Sequence, residues 1–315
     1  MGRRALIVYN PMSGSRSAQS DLADVRAYLT ERGWSIDLAA TRAPGDAGRL
    51  AREAAHADQD VVLIAGGDGT LNEAVNALTR TRTALGVLPC GTANVWARQL
   101  GMRVHRGLID AARLMADAVV RAIDVGCITI NLGTEREAMR YFLLWSGLGL
   151  DAYAIRSIEP RLASFKRWGA LGYSLAVWRA MLRYRGVEVD IELDDRCEHA
   201  QVMLIIVSNA ELYAGYFHLS PQARLDDGWL DVSVVRGSSL LQMVSHFGRV
   251  ALRRSPATRR AKRVRVTARG QCDVHVDAEP IDVTPVAYTV VSKALRVLVP
   301  PTAPRTLFVS DPGAH

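Results

Sequence analysis

Val61-Val62-Leu63-Ile64-Ala65 is an unbroken apolar run that passes directly into Gly66-Gly67-Asp68-Gly69-Thr70. A strand apolar at every position must be buried on both faces, as in parallel sheets covered by helices. Its neighbours repeat the arrangement. Ala5 to Tyr9 and Leu85 to Leu88 are apolar runs of strand length, and Trp34 to Ala40 alternates as a strand. Helical spacing falls between and after them. It covers Ser17 to Arg32, with Leu22, Val25 and Leu29 on one face and Gly33 as a stop, and Asp46 to His56, with Asp46 as N-cap. It returns at Leu71 to Thr79, Asn94 to Leu100 and Gly107 to Ala118. This alternation predicts a three-layer α/β domain with a parallel sheet, and ligands on such sheets bind at the C-terminal ends of the strands.

The pattern changes near Arg121. Strand-like stretches then dominate: Ala122 to Asn131, Tyr141 to Gly147, Val187 to Leu193, Val202 to Ser208, Leu230 to Val235, Arg263 to Ala268, Asp273 to Val276 and Val286 to Val291. Helical segments interrupt them at Ala163 to Tyr184 and Ser239 to Leu252. This half predicts an antiparallel, β-rich second domain. At ~150 residues per domain, the 315-residue chain suits two, at 1–122 and 123–296, with 297–315 packing back on the first. Pro300, Pro301, Pro304 and Pro312 mark a tail expected to be poorly ordered.

Composition removes several classes. At 49% apolar and 23% charged residues, the chain reads as a soluble globular protein and not a disordered one. The longest stretch free of Asp, Glu, Lys and Arg, Thr83 to Ala97, holds Gly86, Pro89 and Gly91 and is too short to span a bilayer. No signal peptide is expected from Met1-Gly2-Arg3-Arg4 and the short run after it. Cys90, Cys127, Cys197 and Cys272 form no CxxC pair and read as reduced core or near-core thiols. The seven histidines lack HxxxH or HExxH spacing, which argues against zinc. The net charge is +7, and of 39 basic residues only Lys166, Lys262 and Lys293 are lysine. Arg249 to Arg269 holds eight Arg and one Lys with no acid. Such a patch suits a polyanion, and an anionic membrane surface is preferred to nucleic acid because no aromatics interleave with the charge.

Three segments at predicted strand ends carry the chemistry: Asn10-Pro11-Met12-Ser13-Gly14, Gly66 to Glu73, and Pro89-Cys90-Gly91-Thr92-Ala93-Asn94. All three converge on one sheet edge. In the middle one, three glycines in four residues let backbone N–H groups approach a phosphate, and a helix begins directly afterwards. There is no GxxxxGK[ST] and no GxGxxG at this position. Asp68 is an odd presence in a phosphate cradle, unless a divalent cation or a reactive hydroxyl intervenes.

Together, GGDGTLNE, NPxSG and the following PxGTxN resemble the diacylglycerol kinase catalytic-domain family, which includes bacterial lipid kinases and sphingosine kinases. NAD kinases and phosphofructokinases share the glycine-rich motif more distantly. The resemblance implies a first domain like theirs. It also implies that ATP is held by Asn10, Pro11, Met12, Ser13, Gly14, Thr41, Gly66, Gly67, Asp68, Gly69, Thr70, Leu71, Asn72, Glu73 and Thr92. Pro221 to Asp231 resembles the family's PxAxxDDGxLD segment, which implies a structural Mg²⁺ on Asp227 and the carbonyls of Arg224 and Trp229. Val276-Asp277-Ala278-Glu279 resembles its DGE, which implies Glu279 as proton acceptor assisted by Asp277, with Asp68 as the third catalytic carboxylate. Read as strand residues two apart, Asp277 and Glu279 are expected on one face. Asp124 matches a family position and is expected in a carboxylate network or at the domain junction.

Three positions depart from the pattern: Val95 where many members have Asp, Ala278 where Gly is usual, and a lone Gly215 in the stretch Tyr213 to Phe217.

The implied function is an ATP-dependent lipid kinase, with diacylglycerol or a related lipid as acceptor. Phe142, Leu144, Trp145, Leu148 and Leu150 are candidates for the acceptor cleft. The alternatives are a soluble-substrate, NAD kinase-like enzyme and an inactive nucleotide-binding regulator. The expected partners are a membrane lipid and an anionic membrane surface met through Arg249–Arg269; no nucleic acid is expected, and a homodimer is left open. The expected location is cytoplasmic and peripheral to the membrane.

Overall fold

The computed structural model describes residues 2–11, 18–158, 182, 184–213, 217–238, 242, 245, 248 and 258–309. Met12, Ser13, Gly14, Ala214 to Tyr216, Arg249, Arg253, Arg254, Pro312 and nearly all of the two helices expected at 163–184 and 239–252 lie outside the described residues.

The first half alternates as expected: β1 (Arg4–Tyr9), α1 (Ala18–Glu31), β2 (Ser35–Ala40), α2 (Asp46–His56), β3 (Val61–Gly66), α3 (Asp68–Leu78), β4 (Ala84–Pro89), α4 (Val95–Gln99) and α5 (Leu108–Ala116). The strands lie in the order β2-β1-β3-β4, all parallel. Both faces are covered, so β3 and β4 are buried at every position.

The second half is strand-rich: β5 (Val119–Ile130), β6 (Ala138–Phe142), β7 (Trp145–Gly149), α6 (Leu150–Ile158), β8 (Val187–Leu193), β9 (Arg196–Ser208), β10 (Leu212–Tyr213), β11 (Phe217–His218), β12 (Leu230–Arg236), β13 (Arg259–Ala261), β14 (Arg263–Ala268), β15 (Asp273–Val276), β16 (Glu279–Val283) and β17 (Val286–Val299). Its pairings among themselves are antiparallel. Residue 122 falls inside β5, which pairs with β17 along almost its whole length. At its far end β17 joins the parallel sheet through Val297, opposite Leu85. The segment after it stays against the first half: Thr302 Oγ1 donates to Leu100 O at 3.1 Å, and the Phe308 ring lies under the Arg121 guanidinium at 4.0 Å.

Three local readings are corrected. The N-cap of α2 is Gly45 in the left-handed region (φ 88°), because Asp46 turns its carboxylate back to the amides of Arg42 and Ala43. The strand expected from Tyr141 to Gly147 is broken at Leu143-Leu144, whose amides donate to the Asp277 carboxylate instead of to a neighbouring strand. The four cysteines are free, and Cys197 is exposed where a near-core place was expected.

Candidate active site

The C-terminal ends of the four parallel strands share one edge. Asn10 N donates to Ala65 O, Thr41 N to Tyr9 O, and Cys90 N to Gly66 O, at 2.9–3.1 Å, so the loops leaving β1, β2, β3 and β4 start side by side. The loops after β3 and β4 touch through glycine: a Cβ on Gly91 would lie 2.6 Å from Gly67 Cα. The N-terminus of α3 carries no side-chain cap, which leaves backbone N–H groups and the positive end of the helix facing this edge.

Asp68 has a structural partner in the neighbouring loop. Its Oδ1 accepts Val95 N at 2.8 Å, so the carboxylate caps α4 and ties the two glycine loops together. Burial raises its pKa, and the amides of Val95, Trp96 and Asn94 pull it back down. Other residues of the expected nucleotide set divide by role. Leu71 is buried core. Glu73 accepts Gly45 N at 2.9 Å and Ala47 N at 3.0 Å, closing the start of α2. Asn72 is 2% exposed; its Oδ1 accepts Asn76 Nδ2 at 3.3 Å, and its buried Nδ2 has no hydrogen-bond partner. Thr92 is exposed, and Thr70 packs over Gly66.

Across from α3 stands the β15–β16 hairpin. Its two central residues, Asp277 (φ 45°) and Ala278 (φ 68°), both have positive φ, as the tightest hairpin turns require. The reading of Asp277 and Glu279 as one strand face is therefore corrected. Asp277 turns inward and accepts the amides of Leu143, Leu144 and Trp145, each at 3.0 Å. Burial, followed by the charge of Asp68, outweighs these bonds and pushes its pKa up to about 6. The same Coulombic contact puts the GGDGT loop and this turn within electrostatic reach of each other. Glu279 stays half-exposed and forms an ion pair with Arg140 of β6. Beside it a cavity of about 510 Å³ separates the two halves, with Arg49, Arg52, Glu73, Asn76, Arg140 and Ile281 among its walls.

Residues 4–128 match the Diacylglycerol kinase catalytic domain, and residues 147–299 match the YegS C-terminal NAD kinase beta sandwich-like domain. The chain belongs to the diacylglycerol kinase catalytic-domain family. It is 29% identical over 306 residues to the diacylglycerol kinase of Bacillus subtilis (strain 168), covering 95% of this chain and 97% of that one. It is 28% identical over 287 residues to that of Staphylococcus aureus (strain bovine RF122 / ET3-1), covering 89% and 87%. The crystal structure of a diacylglycerol kinase from Bacillus anthracis str. Sterne superposes with a TM-score of 0.76 at 23% identity, over 96% of this chain and 98% of that one. Yeast NADH kinase complexed with NADH shares the fold at a TM-score of 0.53 and 10% identity, over 96% and 84%.

Not every implied feature of the diacylglycerol kinase family finds its geometry here. Phe142, Leu144, Trp145, Leu148 and Leu150, expected in an acceptor cleft, are all buried core. Asp124 serves the fold: fully buried, it accepts Gly228 N at 2.6 Å and Lys293 N at 2.7 Å. The residues implied for a structural Mg²⁺ do not fit one. The only side chain of that set, Asp227, is paired with the Arg260 guanidinium.

Two residues of the site went unread in the sequence. Asn76 lies one helical turn beyond Asn72 and exchanges hydrogen bonds with Tyr141 N and O, docking β6 on α3; its i+4 spacing was the available signal. Arg140 pairs with a residue 139 positions away, and nothing local in the sequence marks it.

Proposed function

We propose that the protein is an ATP-dependent lipid kinase that transfers the γ-phosphoryl group to a lipid hydroxyl, with diacylglycerol or a related lipid as acceptor. One observation supports this reading: Glu73 and Asn76 of α3 and Arg140, the ion-pair partner of Glu279, belong to different halves of the chain yet wall one cavity. Phosphoryl transfer depends chiefly on positioning and on neutralising charge. The amides of Gly67 to Thr70 would cradle the phosphates, with Thr41 and Thr92 at the rim. The divalent cation that accompanies ATP belongs to the substrate. Glu279 would take the proton of the acceptor hydroxyl, a contribution of roughly 10²–10⁴-fold in rate. Arg140 would hold that carboxylate in place before the acceptor arrives.

The acceptor resides in a bilayer, and no helix among the described residues is long and apolar enough to cross one. Of the basic segment, Arg259, Arg260 and Arg269 pair with Glu198, Asp227 and Glu188, while Arg263 and Arg265 stand on the exposed face of β14. Exposed basic residues add about 1 kcal/mol each near an anionic surface. Binding to anionic vesicles is expected to fall steeply with added salt, and salt-insensitive binding would remove β14 from this role.

Labelled ATP incubated with the protein and a total lipid extract, with the product identified by mass spectrometry, tests the reading. A phosphorylated lipid supports it. Label on NAD would favour the soluble-substrate enzyme, and nucleotide binding without transfer would favour a regulator.

A further inference from the structure

The turn where family resemblance implies a divalent cation already holds a cation of the chain's own. Asp227 Oδ1 accepts Trp229 N at 3.0 Å, which fixes the carboxylate within its turn. Its side chain is 8% exposed, and Oδ2 lies against the guanidinium of Arg260. Arg260 is not a stray neighbour. Pairing of β12 with β13 sets Arg260 opposite Asp231, and strand alternation then sends Arg259 to the other face, where it meets Glu198. Two further cations crowd the place. Lys262 Nζ sits 4.9 Å from the centre of the Trp229 ring, with Arg260 at 5.9 Å from the same ring. Arg224, itself an implied ligand through its carbonyl, lies close enough to disfavour the Arg260 charge, after burial.

Mg²⁺ demands an octahedral oxygen shell and keeps several waters. Here the Asp227 carboxylate is nearly buried, with one oxygen committed to a backbone amide and the other facing a guanidinium, and the buried Asp231 carboxylate stands across the strand pair from the same Arg260. A doubly charged ion would meet repulsion from Arg260, with the charge of Arg224 close behind it.

We propose that Arg260 takes the place of a structural divalent cation at the 224–229 turn, so that the second domain of this protein is held by an internal ion pair and takes up no metal there. Unpaired, a buried Asp227 would need a cation from solution; Arg260 supplies the charge through a strand register that folding fixes.

Thermal unfolding of the full chain without nucleotide tests this, first in EDTA and then in millimolar magnesium. Wild type is expected to melt at the same temperature in both. Arg260→Gln is expected to melt roughly 5–10 °C lower in EDTA, and to regain part of that loss as magnesium is added. Magnesium-dependent melting of wild type, or an Arg260→Gln variant that melts like wild type in EDTA, would overturn the proposal. Equilibrium dialysis against Mn²⁺ covers the case in which Arg260→Gln fails to fold. A stoichiometric ion bound by wild type and lost in Asp227→Asn contradicts the proposal. No bound ion, or one retained in Asp227→Asn, agrees with it.

Discussion

Asp277 and Ala278 show how two residues decide the shape of the site. Both occupy the left-handed region, where a side chain costs about 1–2 kcal/mol and glycine costs little. Ala278→Gly is therefore expected to stabilise the protein by about 1 kcal/mol in urea unfolding, after allowance for the greater freedom of glycine in the unfolded chain. Asp277 is held as a buried carboxylate by three amides, yet its pKa is raised to about 6. The folded state thus favours the protonated form. The associated stability is present below the ordinary carboxylate range, near pH 4, and is lost as pH rises through about 6. Wild type is expected to lose about 3 kcal/mol across that window relative to Asp277→Asn, which stays neutral. Parallel pH profiles for the two proteins would contradict this. The sequence showed the DxE spacing but not its geometry, because period-two alternation holds only where the backbone is extended, and here it turns.

At the scale of elements, the parallel strands and their helices were legible because burial on both faces leaves an apolar run that little else produces. What escaped were features set by distant partners. The break between β6 and β7 exists because Asp277, more than 130 positions away, takes the amides of Leu143 and Leu144. The role of Asp68 as the cap of α4 likewise depends on two loops meeting, not on local pattern. Their meeting rests on glycine at Gly67 and Gly91. A methyl group at Gly91 would force the Gly67 backbone away. Gly91→Ala is expected to weaken ATP binding at least ~10-fold by calorimetry, a loss of ~1.4 kcal/mol, while far-UV circular dichroism keeps its native shape. Unchanged affinity would mean that the phosphates do not rest on these loops.

At the scale of the molecule, one sheet runs from the parallel strands through β17 into the antiparallel half. β5 and β17 carry the chain between halves, and Asp124 binds their junction by bonding the 225–228 turn and Lys293 at once. That construction sets α3 and the Arg140–Glu279 pair around one cavity, the arrangement from which kinase chemistry is inferred. The sequence revealed the two halves through their motifs, whereas the pairings that join them, such as Arg140 with Glu279, span most of the chain and leave no local trace. Turnover and nucleotide affinity of Glu279→Gln test this arrangement most directly, measured side by side with the same lipid acceptor. Transfer is expected to fall at least ~100-fold, with ATP affinity within about twofold of wild type. Transfer at the wild-type rate would contradict the assignment of Glu279 as the base that activates the lipid hydroxyl.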